Sequence, residues 1–151
     1  MTSQTIPDRS AEDERTDPQD RDTTTLEANK AVVLKAIELL LDPEVSDRAR
    51  EYLTEGYVQH NPEIESGADA IIAFTKSDEG RRARENMRPA PEPPVLVAEG
   101  DKVVMMISRD VPDPDSPGQT YRAYWFDMWR VENGRLAEHW DAVTRANGTQ
   151  R

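Results

Sequence analysis

The chain has no cysteine. Disulfides, thiol nucleophiles and cysteine-ligated zinc are therefore excluded. No apolar run approaches membrane-spanning length, so no membrane association is expected. Positive charge is short: 19 lysines and arginines face 30 acids, a formal net charge of -11. A phosphate backbone would be repelled, and nucleic acid is not an expected partner. Apolar residues are scarce too, at 36% against 32% charged, but the deficit is uneven. Residues 1–25 hold seven acids, three arginines and almost nothing that could be buried; they contribute -4 of the charge and leave -7 on the rest. Such a segment cannot offset the entropy of ordering itself, so 1–25 reads as a disordered acidic tail. It lacks the apolar core of a secretory signal and is too acidic for a mitochondrial presequence, which points to the cytoplasm. The remainder suffices for one domain with a real core, expected over 26–146, followed by a disordered C-terminus at 147–151.

The first helix is expected in "TTTLEANKAVVLKAIELLLD". Thr24 with Glu27 fits a capping box, and Val33, Ala36, Ile37, Leu40 and Leu41 recur at helical spacing before Asp42-Pro43 ends the run. A shorter helix follows from Ser46 as N-cap to Gly56 as a stop. "YVQHNP", residues 57–62, is a short extended piece ended by its proline. A third helix starts near Ser66 and runs into the charged "DEGRRARENM". After the proline-stiffened "RPAPEPPV" the periodicity changes to that of strands. "VLVAE", a Gly100-Asp101 turn and "KVVMMISRDV" form one hairpin; "TYRAYWFDMWRV", the turn "ENG" and "RLAEHWDAV" form another. Three helices followed by about four antiparallel strands is an α+β pattern, with helices covering one face of a curved sheet.

The last hairpin decides which side chains share a face. A two-residue turn at Asn133-Gly134 would pair Glu132 with Arg135 and set Asp127 opposite Trp140. A three-residue turn with a glycine bulge would pair Val131 with Arg135 and set Asp127 opposite His139 and Trp125 opposite Asp141. The second is favoured, because it gathers ionisable groups on one face instead of burying isolated charges on both. That face holds Trp125, Asp127, Trp129, His139 and Asp141; the other holds Tyr124, Phe126, Met128, Leu136 and Trp140. Both are aromatic, so both are expected to be covered, one by the helices and the other by a second copy in a homodimer.

"YVQHNP" after two helices, a glycine-headed third helix and the closing "FDMWRVENGRLAEHWD" resemble the SnoaL-like polyketide cyclase family, within the nuclear transport factor 2-like superfamily of cone-shaped α+β barrels. The resemblance covers roughly residues 28–145. It implies a cofactor-free pocket between the helices and the concave sheet. It further implies that Asp141 is the acid/base of an intramolecular aldol condensation, with His139 in the pocket. Asp127 aligns with a second polar position on the preceding strand that is often histidine in the family. An aspartate there donates a hydrogen bond to an enolate only when protonated.

Physical chemistry states what these residues would need. A carboxylate base such as Asp141 gains strength from desolvation and from a like charge nearby, which Trp125, Trp129, Val143 and Asp127 could supply. An Asp127–His139 pair beside it is a sensible proton-handling unit, although structural ion pairs have the same sequence signature. His60 and Asn61 could orient a substrate carbonyl, or simply cap a turn. Tyr57, Trp125 and Trp129 suit the walls of a site for a flat, partly aromatic ligand. No local histidine spacing supports a metal, and none is expected. The expected ligand is a small hydrophobic carbonyl compound, converted by proton transfer in aldol cyclisation or isomerisation. Two rivals stay open. One is an epoxide- or ester-type hydrolase whose carboxylates activate water, for which Arg109 or Arg122 would supply the cation. The other is a non-catalytic binding or dimerisation domain.

Overall fold

Helical spacing in "KAVVLKAIELL" buries Val33, Ala36 and Leu39 on one face of α1 (Pro18–Leu40), in the computed structural model, which describes residues 18–86 and 92–142. The helix begins earlier than its capping box suggests. Thr24 and Glu27 therefore lie inside α1, and residues 18–25 are helical instead of part of a tail; 1–17 and 147–151 lie outside the described residues. Leu41 falls just past the helix end and is exposed, so Leu39 takes the core position expected of it.

A short 3-10 helix, Ser46–Tyr52, leads directly into β1 (Leu53–Gln59). Ser46 is not its cap: the hydroxyl donates back to the Pro43 carbonyl at 3.1 Å. Gly56 does not stop a helix but lies within β1, in a stretch where the ladder to its neighbour is irregular. α2 (Ala68–Lys76) and α3 (Asp78–Asn86) replace the single third helix. Ser77 breaks the run and its Oγ accepts from the Gly80 N–H at 3.0 Å, capping α3. Glycine is required there, since a Cβ would lie 2.0 Å from the Phe74 carbonyl oxygen.

The strands β2 (Val95–Glu99), β3 (Lys102–Pro112), β4 (Thr120–Glu132) and β5 (Arg135–Asp141) form the two expected hairpins. The sheet order is β1-β5-β4-β3-β2, with β1 parallel to β5 and every other pair antiparallel. "YVQ" thus adds a fifth, edge strand and makes the sheet mixed. α1 and α2 pack on its concave side around Val33, Ala36, Ile72, Val103, Trp129 and Leu136, each large apolar side chain there contributing about 1.5–3 kcal/mol of burial.

Neither register expected for the last hairpin is found. The turn is the two-residue one, with Glu132 opposite Arg135 and positive φ at Asn133 and Gly134. A bulge then falls inside β5: Val131 faces Leu136 but Arg130 faces Glu138, leaving Ala137 as the extra residue. Beyond it Trp129 pairs with His139 and Asp127 with Asp141. The ionisable groups still share one face, because the bulge shifts the ladder by one residue and restores the parity that the turn alone would have reversed. Leu136 lies before the bulge and so joins the core at 0% exposure, not the outer face as expected.

Candidate functional site

Strand alternation places the polar side chains of β1. Tyr57 and Gln59 are buried and Val58 is exposed. The ladder continues one residue further, with His60 N–H donating to the His139 carbonyl at 3.0 Å. The alternation carries on, so Asn61 turns inward and His60 outward. His60 accordingly leaves the site expected of it. Its ring stacks on Trp140 on the convex face at 4.8 Å, and its Nε2 lies 3.1 Å from Glu138.

Gln59 was missed in the sequence, yet it organises the centre. Its Oε1 accepts the Asn61 backbone N–H at 2.9 Å, which fixes that atom as the oxygen. The same oxygen lies 2.9 Å from His139 Nδ1, so Nδ1 must carry a hydrogen. Nε2 then faces Asp127 Oδ1 at 3.2 Å, within reach for a proton on either group to be shared as a hydrogen bond. The stacked Trp129 ring, 4.8 Å away, covers the imidazole. Period-two alternation through "YVQHN" was the signal that would have found Gln59: it sets Tyr57, Gln59 and Asn61 on one side.

Asp141 is held from just beyond the end of β1. Asn61 Nδ2 donates to its Oδ2 at 2.7 Å, while Asn61 Oδ1 accepts the Glu63 N–H at 2.9 Å and so fixes the amide orientation. Ligand atoms of Asp127, His139 and Asp141 all lie within 4.8 Å of one another. These are the residues that could hold a cation among those described. Tyr57 lies beneath them. Burial pushes its phenol well above the usual tyrosine range, a hydrogen bond with Trp129 opposes this, and the charges of Asp127 and Asp141 add to it.

Further along the concave face the covering thins. Trp129 is 3% exposed but Trp125, two residues back, is 39% exposed. The Arg109 guanidinium lies over the Trp125 ring, 4.8 Å from its centroid. Burial lowers its pKa, and the nearby Asp127 charge works against that. Arg122, the other candidate cation, is on the convex side, donating to Asp110 at 2.6 Å. A hollow of about 630 Å³, lined by residues 59–65, borders Gln59 and Asn61 and is open to solvent. A second, of about 810 Å³, lies at the start of α2, away from the polar cluster. Val143, expected as a wall, is outside the described residues.

The arrangement can take a proton at Asp141, return one from the Asp127–His139 pair, and place both beside aromatic surface.

Residues 34–139 match the SnoaL-like domain family. Similar folds occur in a protein assigned as a polyketide cyclase from Xanthomonas campestris (TM-score 0.54, 18% identity, covering 77% of this chain and 90% of that one). A nuclear transport factor 2-like protein from Burkholderia xenovorans is similar as well (TM-score 0.55, 16% identity, 79% and 91% covered). So is a protein assigned as a polyketide cyclase from Acidithiobacillus ferrooxidans (TM-score 0.52, 18% identity, 76% and 86% covered). At these identities the likeness establishes the fold. No curated protein matches the chain.

Proposed function

The chain belongs to the SnoaL-like domain family, and on that footing we propose that it is a cofactor-independent acid/base catalyst acting on a small hydrophobic carbonyl compound. The observation that carries this reading is the juxtaposition of Asp141 with an Asp127–His139 pair whose tautomer Gln59 fixes. Asp141 removes a proton from the carbon next to a carbonyl, leaving an enolate. In an aldol cyclisation that carbon then bonds to a second carbonyl carbon of the same molecule, and the resulting alkoxide takes the proton held between Asp127 and His139. In an isomerisation the proton returns to a different carbon. Asn61 orients Asp141, Trp129 covers the imidazole, and the exposed Trp125 ring is the wall against which a flat substrate lies.

The test is exchange of the α-proton for solvent deuterium, followed by NMR across a panel of aromatic, polyketide-like and terpenoid ketones. Asp141→Asn should lower the exchange rate by at least about 100-fold while stability stays within ~1 kcal/mol. Unchanged exchange removes Asp141 as the base, and binding without any exchange by the unaltered protein supports a binding domain instead.

The position of Arg109 near Asp127 favours one alternative, a hydrolase in which a carboxylate activates water and the guanidinium balances developing charge. Labelled oxygen passing from water into product would establish it. We also propose that a second copy covers the convex face, where Val97 is 62% and Phe126 56% exposed.

A further inference from the structure

Arg109 is an unusual residue in this sheet. Only 8% of it is exposed, yet among the described residues it makes no ion pair and no hydrogen bond; its neighbours are the Trp125 ring below and the charge of Asp127 beyond contact range. Every other arginine with a described ion pair on this sheet meets its carboxylate on the convex side: Arg122 with Asp110, Arg130 with Glu138. Among the described residues no fully enclosed side-chain nitrogen lacks a partner, so the guanidinium keeps an opening toward solvent. β3 explains its aim. Val103, Met105, Ile107 and Arg109 alternate onto the concave face, opposite Trp129, Asp127, Trp125 and Ala123 in turn. Arg109 therefore ends a row that begins in the packed core and passes beside the polar cluster.

The guanidinium reaches solvent through that opening with its donors unspent, so an acceptor placed there gains charge-assisted hydrogen bonds without displacing a protein partner. Its planar fork suits two oxygens in one plane, and the indole beneath fixes that plane. We infer that Arg109 binds an acidic oxygen of the ligand, so that the compound is a flat aromatic acid or an enolised dicarbonyl whose anionic end lies on Arg109 and Trp125. The inference rests on the proposed site but not on its catalysis. It names the end of the molecule that docks, whereas Asp141 concerns the end that reacts. The protein as a whole carries a formal charge of -11, so an anion preference would have to come from a local cation.

The probes are 2-naphthoate and its neutral counterpart 2-acetylnaphthalene, titrated by calorimetry and by quenching of tryptophan fluorescence. The unaltered protein should bind the acid at least about tenfold more tightly than the ketone, as charge-assisted hydrogen bonds predict. That preference should shrink as salt rises, a readout that needs no variant. Arg109→Gln should abolish the preference and Arg109→Lys keep part of it, read in each protein as the ratio of acid to ketone affinity. A guanidinium that only packed on the indole would leave the acid-to-ketone ratio the same in all three proteins. Equal binding of acid and ketone, or no binding of the acid at millimolar concentration, overturns the inference. Asp141→Asn should leave the ratio intact, so loss of exchange and loss of anion preference report separately.

Discussion

Replacing Gln59 with leucine tests the centre of the site more directly than replacing any charged group. Leucine nearly matches the volume of the side chain but removes the oxygen that accepts from two donors, the Asn61 backbone N–H and the His139 Nδ1–H, each at 2.9 Å. Asn61 is 8% and His139 9% exposed, so neither donor has ready access to water. A buried donor left without an acceptor costs about 1–3 kcal/mol. The two together should cost about 2–5 kcal/mol, allowing for partial relaxation of neighbouring groups. A domain of this size loses about 3–5 °C of melting temperature per kcal/mol, so Gln59→Leu should melt roughly 6–25 °C lower. Gln59→Glu keeps an acceptor at the same place and should recover most of that loss at neutral pH. The imidazole of the leucine variant no longer has its Nδ1 hydrogen fixed, and proton exchange with substrate should fall tenfold or more, in proportion to the misplaced tautomer. Differential scanning calorimetry and the deuterium-exchange assay read the two effects separately. A leucine variant that melts within about 1 °C of the parent and exchanges at its rate would refute the idea that Gln59 fixes His139.

Two further outcomes follow from the same geometry. Burial holds the Tyr57 phenol protonated far above the usual range, so its stabilising effect is fully present below the unfolded pKa near ~10 and is lost only as pH rises through the elevated folded value. In an alkaline absorbance titration, Tyr57→Phe should match the parent until unfolding and differ only after it; a smaller phenolate signal before unfolding would contradict the burial. Phe126→Arg, placing a charge at the centre of the proposed convex interface, should turn a sedimenting dimer into a monomer whose melting temperature is lower and no longer varies with protein concentration. A parent protein that sediments as a monomer at about 100 times its assay concentration would remove the dimer, and with it the need to cover Val97 and Phe126.

Much of this chain is legible because local rules agree with one another. Helical spacing in residues 33–39 and strand alternation in both hairpins follow from side-chain periodicity, and the closing "EHWD" carries the family resemblance in a few adjacent residues. That Asp127, His139 and Asp141 lie together follows the expected grouping, while two residues of the first strand are placed differently. His60 is drawn in and Gln59 left out because an extended piece with no known neighbour has no assigned inner and outer side. Only pairing with β5 turns it into strand and so gives each residue a definite side.

The sequence by itself determined that His139 and Asp141 share one side of their strand, since residues two apart in a strand point the same way; that Asp127 joins them depended on the register. It also determined that this chain cannot rely on thiols for its chemistry. Tertiary structure decided the rest: the bulge at Ala137 that sets Asp127 against Asp141, the oxygen of Gln59 that assigns the imidazole hydrogen, and the place of Arg109 at the end of the row. Register, tautomer and proximity across strands each depend on a partner distant in sequence, and period alone names no partner.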